Sequence, residues 1–305
     1  MGCPDWPKCF GSWTPPTSVE QLPSHYKENY SAYREKKNQK FARYLRLMGM
    51  NETADKILAD KSILTEADFN PLKTWIEYVN RLVGVVIGVF IIAVFYRSIP
   101  FRKDRPVLFW LSMITLLAVI FQGWFGSIVV STNLTTWTIS VHLFLALMIV
   151  GFLIYLIHAS GEALYFDAKS SNGWLLIACM AMLIIQIFFG TEVRREIDVL
   201  SSKFPRENWV TQLGTDFMIH RSFSWIVLIF GLVFFLQIRK TIVLKTLSRV
   251  LFLLILSSLV TGAGMAYFDV PSALQPVHLL LATVTFGVEL FLFFKVSKRI
   301  SLDGE

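Results

Sequence analysis

His220 and His278 each stand inside a run that otherwise avoids polar atoms, and His142 repeats the surroundings of His278. Val141-His142-Leu143-Phe144-Leu145-Ala146 matches Val277-His278-Leu279-Leu280-Leu281-Ala282 except at Phe144, and a glycine follows each histidine by nine positions, Gly151 and Gly287. An imidazole in hydrocarbon is costly unless something binds it, so these histidines are candidates for chemistry. His220 and His278 lie within about a turn or two of the same end of their runs, which puts them at one depth. Two imidazoles from facing helices are the usual means of holding a haem iron by both axial positions, giving a low-spin centre suited to electron transfer. The plainer alternative is two histidines bonded to backbone or water.

The first half of the chain departs from the second. His142 corresponds to His278, but Asn80 stands where His220 stands. A haem there would have one strong protein ligand and an open or weakly held sixth position, which favours reaction over electron relay. Glu77 lies three residues before Asn80 and shares its helix face, while Phe217 holds the equivalent place in the second half. As a functional group Glu77 can donate or accept a proton, or stabilise positive charge on a substrate carbon; solvation or pairing with Arg81 is the structural alternative. Arg81, Arg194, Arg195 and Arg221 gather near the same end of the spans, where guanidinium groups can pair with haem propionates. The repeat sets Arg81 and Arg221 beside ligand positions. Gln122 and Gln186 each precede a glycine by four residues, Gly126 and Gly190; the amides can bond across helices and the glycines permit close approach. His25 falls in a polar segment, and His158 is about 160° round the helix from His142, so neither is read as a ligand.

The elements that carry these residues follow from composition. With 305 residues, 54% hydrophobic, 14% aromatic and 17% charged, and a mean hydropathy of +0.54, the chain is predicted to be an all-α polytopic membrane protein. Runs of roughly 20 apolar residues, enough to cross about 30 Å of hydrocarbon as helix, lie near 76–97, 107–130, 140–160, 173–190, 219–238, 247–267 and 273–296. The net charge of +7 reads as topology rather than as a nucleic-acid surface. Arg97, Arg102, Lys103 and Arg105 follow the first run, Arg239, Lys240, Lys245 and Arg249 the fifth, and Lys295, Lys298 and Arg299 the seventh. These ends are predicted to be cytoplasmic. The loops Ser131 to Ile139 and Phe268 to Gln275, with Asp269 as their one charge, and the segment 1–75 are then outside.

Outside, Cys3 and Cys9 meet an oxidising compartment where a disulfide can persist, and their spacing with no neighbouring histidine fits zinc poorly. Cys179 reads as packing within a span. Residues 25–48 alternate basic and aromatic or aliphatic side chains as an amphipathic helix, either packed on its neighbours or in contact with anionic lipid; Asn51 to Asp60 reads as a second short helix. A long basic tail outside with no preceding span implies that Met1 is an internal methionine and that one more span precedes it. The repeat agrees, since the second half has four spans and the first has three. The predicted architecture is two pseudo-symmetric four-helix bundles, the first lacking its first helix. Residues 1–75 form a cysteine loop and helical segment, 76–160 the first half-bundle, 173–296 the second bundle and 297–305 a cytoplasmic tail.

At Cys3-Pro4-Asp5-Trp6-Pro7-Lys8-Cys9-Phe10-Gly11 followed by Pro15-Pro16, and at Glu77-Tyr78-Val79-Asn80-Arg81, the sequence resembles the haem A synthase family over nearly its whole length. The resemblance implies eight spans in two halves, with the cysteine loop directly after the first span. It implies a bacterial cytoplasmic-membrane oxidoreductase that converts a methyl group of haem O to the formyl group of haem A by successive hydroxylations, for terminal oxidases. It also implies haem b as cofactor on His220 and His278, with Arg221 beside it. Substrate haem then sits in the first half near His142, Asn80 and Arg81, with Glu77 as the catalytic acid and Cys3 and Cys9 as the family's cysteine pair. Haem O synthase, terminal oxidase assembly proteins and an electron donor are the partners in that case, with the lipid membrane around the chain and no nucleic acid.

The sequence departs from the family in three places. The family usually has histidine where Asn80 stands, some members carry a second cysteine pair that Thr191 to Ile219 lacks, and the segment at about 20–70 is longer than the corresponding loop. The alternative to the enzyme is a non-catalytic membrane b-type cytochrome or haem-binding assembly factor. A transporter would share the repeats, but no chain of charged residues runs through the spans.

Overall fold

The computed structural model describes residues 2–66, 68–161, 170–201, 203–238 and 242–296. Met1, Arg239, Lys240, Lys298, Arg299 and the predicted tail 297–305 lie outside the described residues. Those described form ten α-helices with short 3-10 turns between some of them. Seven helices are long and apolar enough to cross a membrane, with mean hydropathy between 1.9 and 2.5 over their most apolar stretches. Many large apolar side chains on them, such as Val83, Val86 and Phe90 or Trp225, Ile226 and Ile229, are exposed. Such a surface suits lipid and not water, and the chain is an integral membrane protein.

The chain divides into two compact units, Met1–Ile149 and Val150–Glu305. In the first, α1 (Tyr26–Leu47) and α2 (Asn51–Ala59) form a helical pair outside the spans, as the alternating pattern predicts. Phe41, Ala42 and Leu45 of α1 and Ala54 and Ile57 of α2 share one buried cluster with Ile63 and with Phe125, Ile128 and Val129 of the second span. Phe41 also stacks on Trp137, with ring centroids 6.2 Å apart. The pair is therefore packed on protein along this face. Arg34, fully buried, reaches the carboxylate of Glu66 at 2.6 Å and donates to the carbonyls of Ile63 and Thr65, which ties the segment after α2 back onto α1.

The first span belongs to α3 (Pro71–Ser98), which begins before its apolar run because Pro71 occupies the first turn and Asn70 Oδ1 accepts from Lys73 N at 3.0 Å. Both features favour a helix start. α3 packs on α4 (Pro106–Ser131), where the buried hydroxyls of Ser98 and Ser112 share a hydrogen bond of 2.6 Å. α5 (Thr136–Ser160) begins in this unit and ends in the other.

The second unit holds a closed ring of four helices. α6 (Ser170–Ser201), α8 (Thr215–Ile238), α9 (Ile242–Tyr267) and α10 (Leu274–Val296) each pack on the two beside them, around Leu176, Phe234, Leu244, Leu251 and Leu292. The four-residue helix α7 (Trp209–Gln212) lies between α6 and α8. The segment between the predicted runs 173–190 and 219–238 is thus partly helix. α6 runs past its apolar run because Arg194 pairs with Asp198 at 2.9 Å and Arg195 with Glu192 at 2.8 Å, spacings that support a polar helix leaving the membrane. The glycines that follow the two repeated histidines face one another's helix: a methyl on Gly151 would touch Leu290, and one on Gly287 would touch Ile154 and Val150. The end of α5 packs on α10 through small residues.

Removing one partner of a buried ion pair leaves the other charge uncompensated, at about 3–5 kcal/mol. Arg34→Met should therefore loosen α1 and α2 and expose residues 26–66 to trypsin. Arg34→Met with Glu66→Leu should restore most of the resistance.

Candidate functional site

His220 of α8 and His278 of α10 face one another in the second unit, with ring centroids 6.4 Å apart and planes inclined at 73°. Each ring is placed by the helix before it. On α6, Gln186 Nε2 donates to the carbonyl of His220 at 3.0 Å, and four residues on, Gly190 leaves room for the ring: a methyl there would lie 3.2 Å from His220 Cε1. On α9, Thr261 Oγ1 lies 3.0 Å from His278 Nδ1, and a methyl on the adjacent Gly262 would lie 3.3 Å from His278 Cε1. The Thr261 hydroxyl donates to the carbonyls of Ser257 and Ser258, so its oxygen accepts from His278 Nδ1–H and Nε2 keeps its lone pair. Nδ1 of His220 and Oε1 of Gln186 are buried without a hydrogen-bond partner.

The same arrangement recurs in the first unit. Gln122 Nε2 of α4 donates to the carbonyl of His142 at 2.9 Å, and Gly126, four residues on, would bring a methyl to 3.5 Å from His142 Cε1. Phe125 lies nearly parallel to the His142 ring, centroids 6.3 Å apart. His142 Nδ1 and Gln122 Oε1 are buried without partners. Asn80 is exposed. Among the described residues, no hydrogen bond or ring contact joins His142 to Glu77, Asn80 or Arg81.

Glu77 and Arg81 instead meet each other and the cysteine loop. Cys3 and Cys9 form a disulfide, with Cα atoms 4.9 Å apart. Glu77 Oε2 accepts from Gly2 N at 2.8 Å and Cys3 N at 3.1 Å, and Oε1 accepts from Arg81 at 2.7 Å. Arg81 also donates to the carbonyls of Asp5, Lys8 and Cys3. The loop lies so close to α3 that a methyl on Gly2 would stand 2.3 Å from the Lys73 carbonyl oxygen, which restricts that position to glycine. At the loop's far side, the Asp5 carboxylate accepts from Phe10 N and Gly11 N, and the Phe10 ring meets Tyr26, Tyr30 and Phe69 edge-on. Burial, with the Asp5 carboxylate adding to it, pushes the Tyr30 phenol up to about 12, so it stays neutral beside this loop.

Of the other predicted arginines, Arg194 binds Gln275 and Asp198, and Arg195 binds Glu192 and lies 3.7 Å from Asp216. Arg221 is exposed. His25 is exposed at the start of α1, and His158 lies against Tyr155 and Phe294. Sequence reasoning passed over Thr261 as a partner of His278, because it stands next to Gly262 while the position four before that glycine, which Gln122 and Gln186 hold before Gly126 and Gly190, is Ser258. It also passed over Glu289, an acid inside the last apolar run.

Arg81 is the main tie between α3 and the disulfide loop. Its hydrogen bonds to a carboxylate and three carbonyls are worth about 2–3 kcal/mol together when partly buried, so Arg81→Ala should speed reduction of Cys3–Cys9 by dithiothreitol on the order of tenfold or more, as followed by thiol alkylation. Glu77→Gln, which keeps an acceptor for Gly2 N and Cys3 N, should speed it less.

Similarity to known proteins covers both units. The family described as cytochrome oxidase assembly protein, COX15-CtaA, matches residues 1–290. A curated relative, the heme A synthase of Shewanella oneidensis, is 23% identical over 193 residues, or 62% of this chain and 47% of that protein. The chain thus spans about half the length of that relative. No solved structure matches the chain at a significant level. The match over residues 1–290 places the chain in the COX15-CtaA family of cytochrome oxidase assembly proteins.

Proposed function

We propose that this chain is a haem A synthase, oxidising the methyl group of haem O to the formyl group of haem A by successive hydroxylations, with haem b held between His220 and His278. The spacing of those two rings carries the reading. A haem iron between them would be held by both imidazoles, and two rings that face one another across a gap are what such an iron requires of the chain. The two rings here are 6.4 Å apart. Among the described residues no three His, Cys, Asp or Glu side chains gather as a bare metal ion would need. Two facing imidazoles suit an iron whose remaining ligands come with it.

When bound, haem b supplies one-electron transfer. The chain's own residues do the rest. Thr261 fixes the His278 tautomer and Gln186 fixes the backbone that carries His220, so the rings are oriented before anything binds. Gly190 and Gly262 keep the space beside them clear. Arg221, exposed beside His220, is free to meet a propionate.

In the first unit His142 is the ligand offered to substrate haem, with its position set by Gln122 and Phe125, and with Asn80 and Arg81 on α3, which packs on the helix that carries Gln122. Oxidation of the methyl group to formyl passes its electrons to an external oxidant and is accompanied by proton transfers, and Glu77 is the acid that handles those protons. Its oxygens keep lone pairs beyond the hydrogen bonds they accept. Residues 1–75 lie on the extracytoplasmic side of a bacterial cytoplasmic membrane, where the Cys3–Cys9 disulfide is stable, and haem O synthase and oxidase assembly proteins are the partners that supply substrate and take product. The exposed Asn80, with no second imidazole near His142, favours a second reading, a b-type membrane cytochrome that leaves haem O unchanged.

Membranes containing the chain, supplied with haem O and an electron donor and acceptor system from the same membranes, should yield haem A or its hydroxylated precursor by extraction and chromatography. Glu77→Gln should lower that yield on the order of a hundredfold, the usual scale for a proton-transfer residue, and His278→Ala should lose haem b. Haem b bound with haem O unchanged would establish the cytochrome instead.

A further inference from the structure

Glu289 of α10 is fully buried, and both of its carboxyl oxygens lack a hydrogen-bond partner. A carboxyl so placed inside a membrane bundle is a functional candidate by default. It follows His278 by eleven residues, about 16 Å along the helix and within about 20° of the same face. Thr285, also buried, lies between them on that face. α6, which packs on α10, contributes the buried thiol of Cys179. From α9, Lys245 and Arg249 are exposed. From α10 itself, Lys295 lies over the Phe291 ring, and from the end of α5, His158 and Tyr155 lie against Phe294. α8 brings no titratable group to this level among its described residues. The acid is thus enclosed toward the histidines by apolar packing, and Lys245, Arg249 and Lys295 mark the nearest wet end of the bundle.

We infer that Glu289 is a proton-binding site, filled from the end of the bundle opposite the histidines, that balances the charge of an electron placed between His220 and His278. The inference rests on the haem b reading for that centre. The oxidised centre carries one more positive charge than the reduced one, and a charge in a low-dielectric interior is felt over this distance. When one electron arrives from an external one-electron donor, the Glu289 carboxylate takes one proton from water and becomes the neutral acid; reoxidation returns it.

Infrared spectra of the purified full chain test this in two steps. Without haem, the wild-type minus Glu289→Gln difference should show a carboxylic-acid C=O band that shifts in D2O; Cys179→Ser, which adds a hydroxyl nearby, should move the same band if Glu289→Gln does not fold. No such band, or one that never exchanges, overturns the proton site while leaving the haem reading standing. With haem b bound and the potential set by an electrode, the reduced-minus-oxidised spectrum should gain that band. The haem potential should fall as pH rises in the wild type and lose that slope in Glu289→Gln. A band indifferent to the electrode, or a slope unchanged by the substitution, overturns the coupling. Failure to bind haem overturns the reading of His220 and His278 instead.

Discussion

Each histidine in the spans needs room for its ring and a neighbour to hold it, because no water stands ready inside a membrane bundle to do either. The chain meets this need three times with one device. A polar residue and a glycine four positions later on one helix face a histidine on the next: Gln122 and Gly126 with His142, Gln186 and Gly190 with His220, and Ser258 and Gly262 with His278, where Thr261 supplies the hydrogen bond. A side chain in place of any of these glycines would meet the imidazole at 3.2–3.5 Å. The helix-pair unit is therefore built around the ring, and the remaining packing of each half follows from where those pairs stand.

The two halves use the device differently. In the second unit two pairs close into a ring of four helices and their imidazoles meet. In the first, the single pair leaves His142 with Phe125 beside it, and the acid and arginine of α3 turn to the disulfide loop. Glu77 is consequently the anchor of a loop more than seventy residues away in sequence. That anchoring ties the order of the cysteine loop to the placement of the carboxyl, since Gly2 N, Cys3 N and Arg81 hold its two oxygens.

Much of this was legible in the sequence. The apolar runs mark all seven spans, and the repeated Val-His-Leu motif with its trailing glycine marks α5 and α10 as copies, because helical periodicity and exclusion of polar residues are local signals. The helices at 26–47 and 51–59 were legible for the same reason. The extension of α6 to Ser201 was not, since its i,i+3 and i,i+4 ion pairs look like an ordinary charged loop when the apolar run has ended. Nor was the anchoring of the cysteine loop by Glu77 and Arg81, which depends on contacts between residues far apart in the chain. Glu289 was visible as one acid in an apolar run, yet only its burial without a partner separates it from an acid at a span's edge.

The central claim is that His220 and His278 bind one haem iron between them, and electron paramagnetic resonance of the oxidised, purified chain tests it most directly. Two imidazoles with planes as steeply crossed as these should give a strongly anisotropic low-spin ferric signal that disappears in His220→Ala and in His278→Ala. A high-spin ferric signal in the wild type, or a low-spin signal that survives both substitutions, would contradict the account.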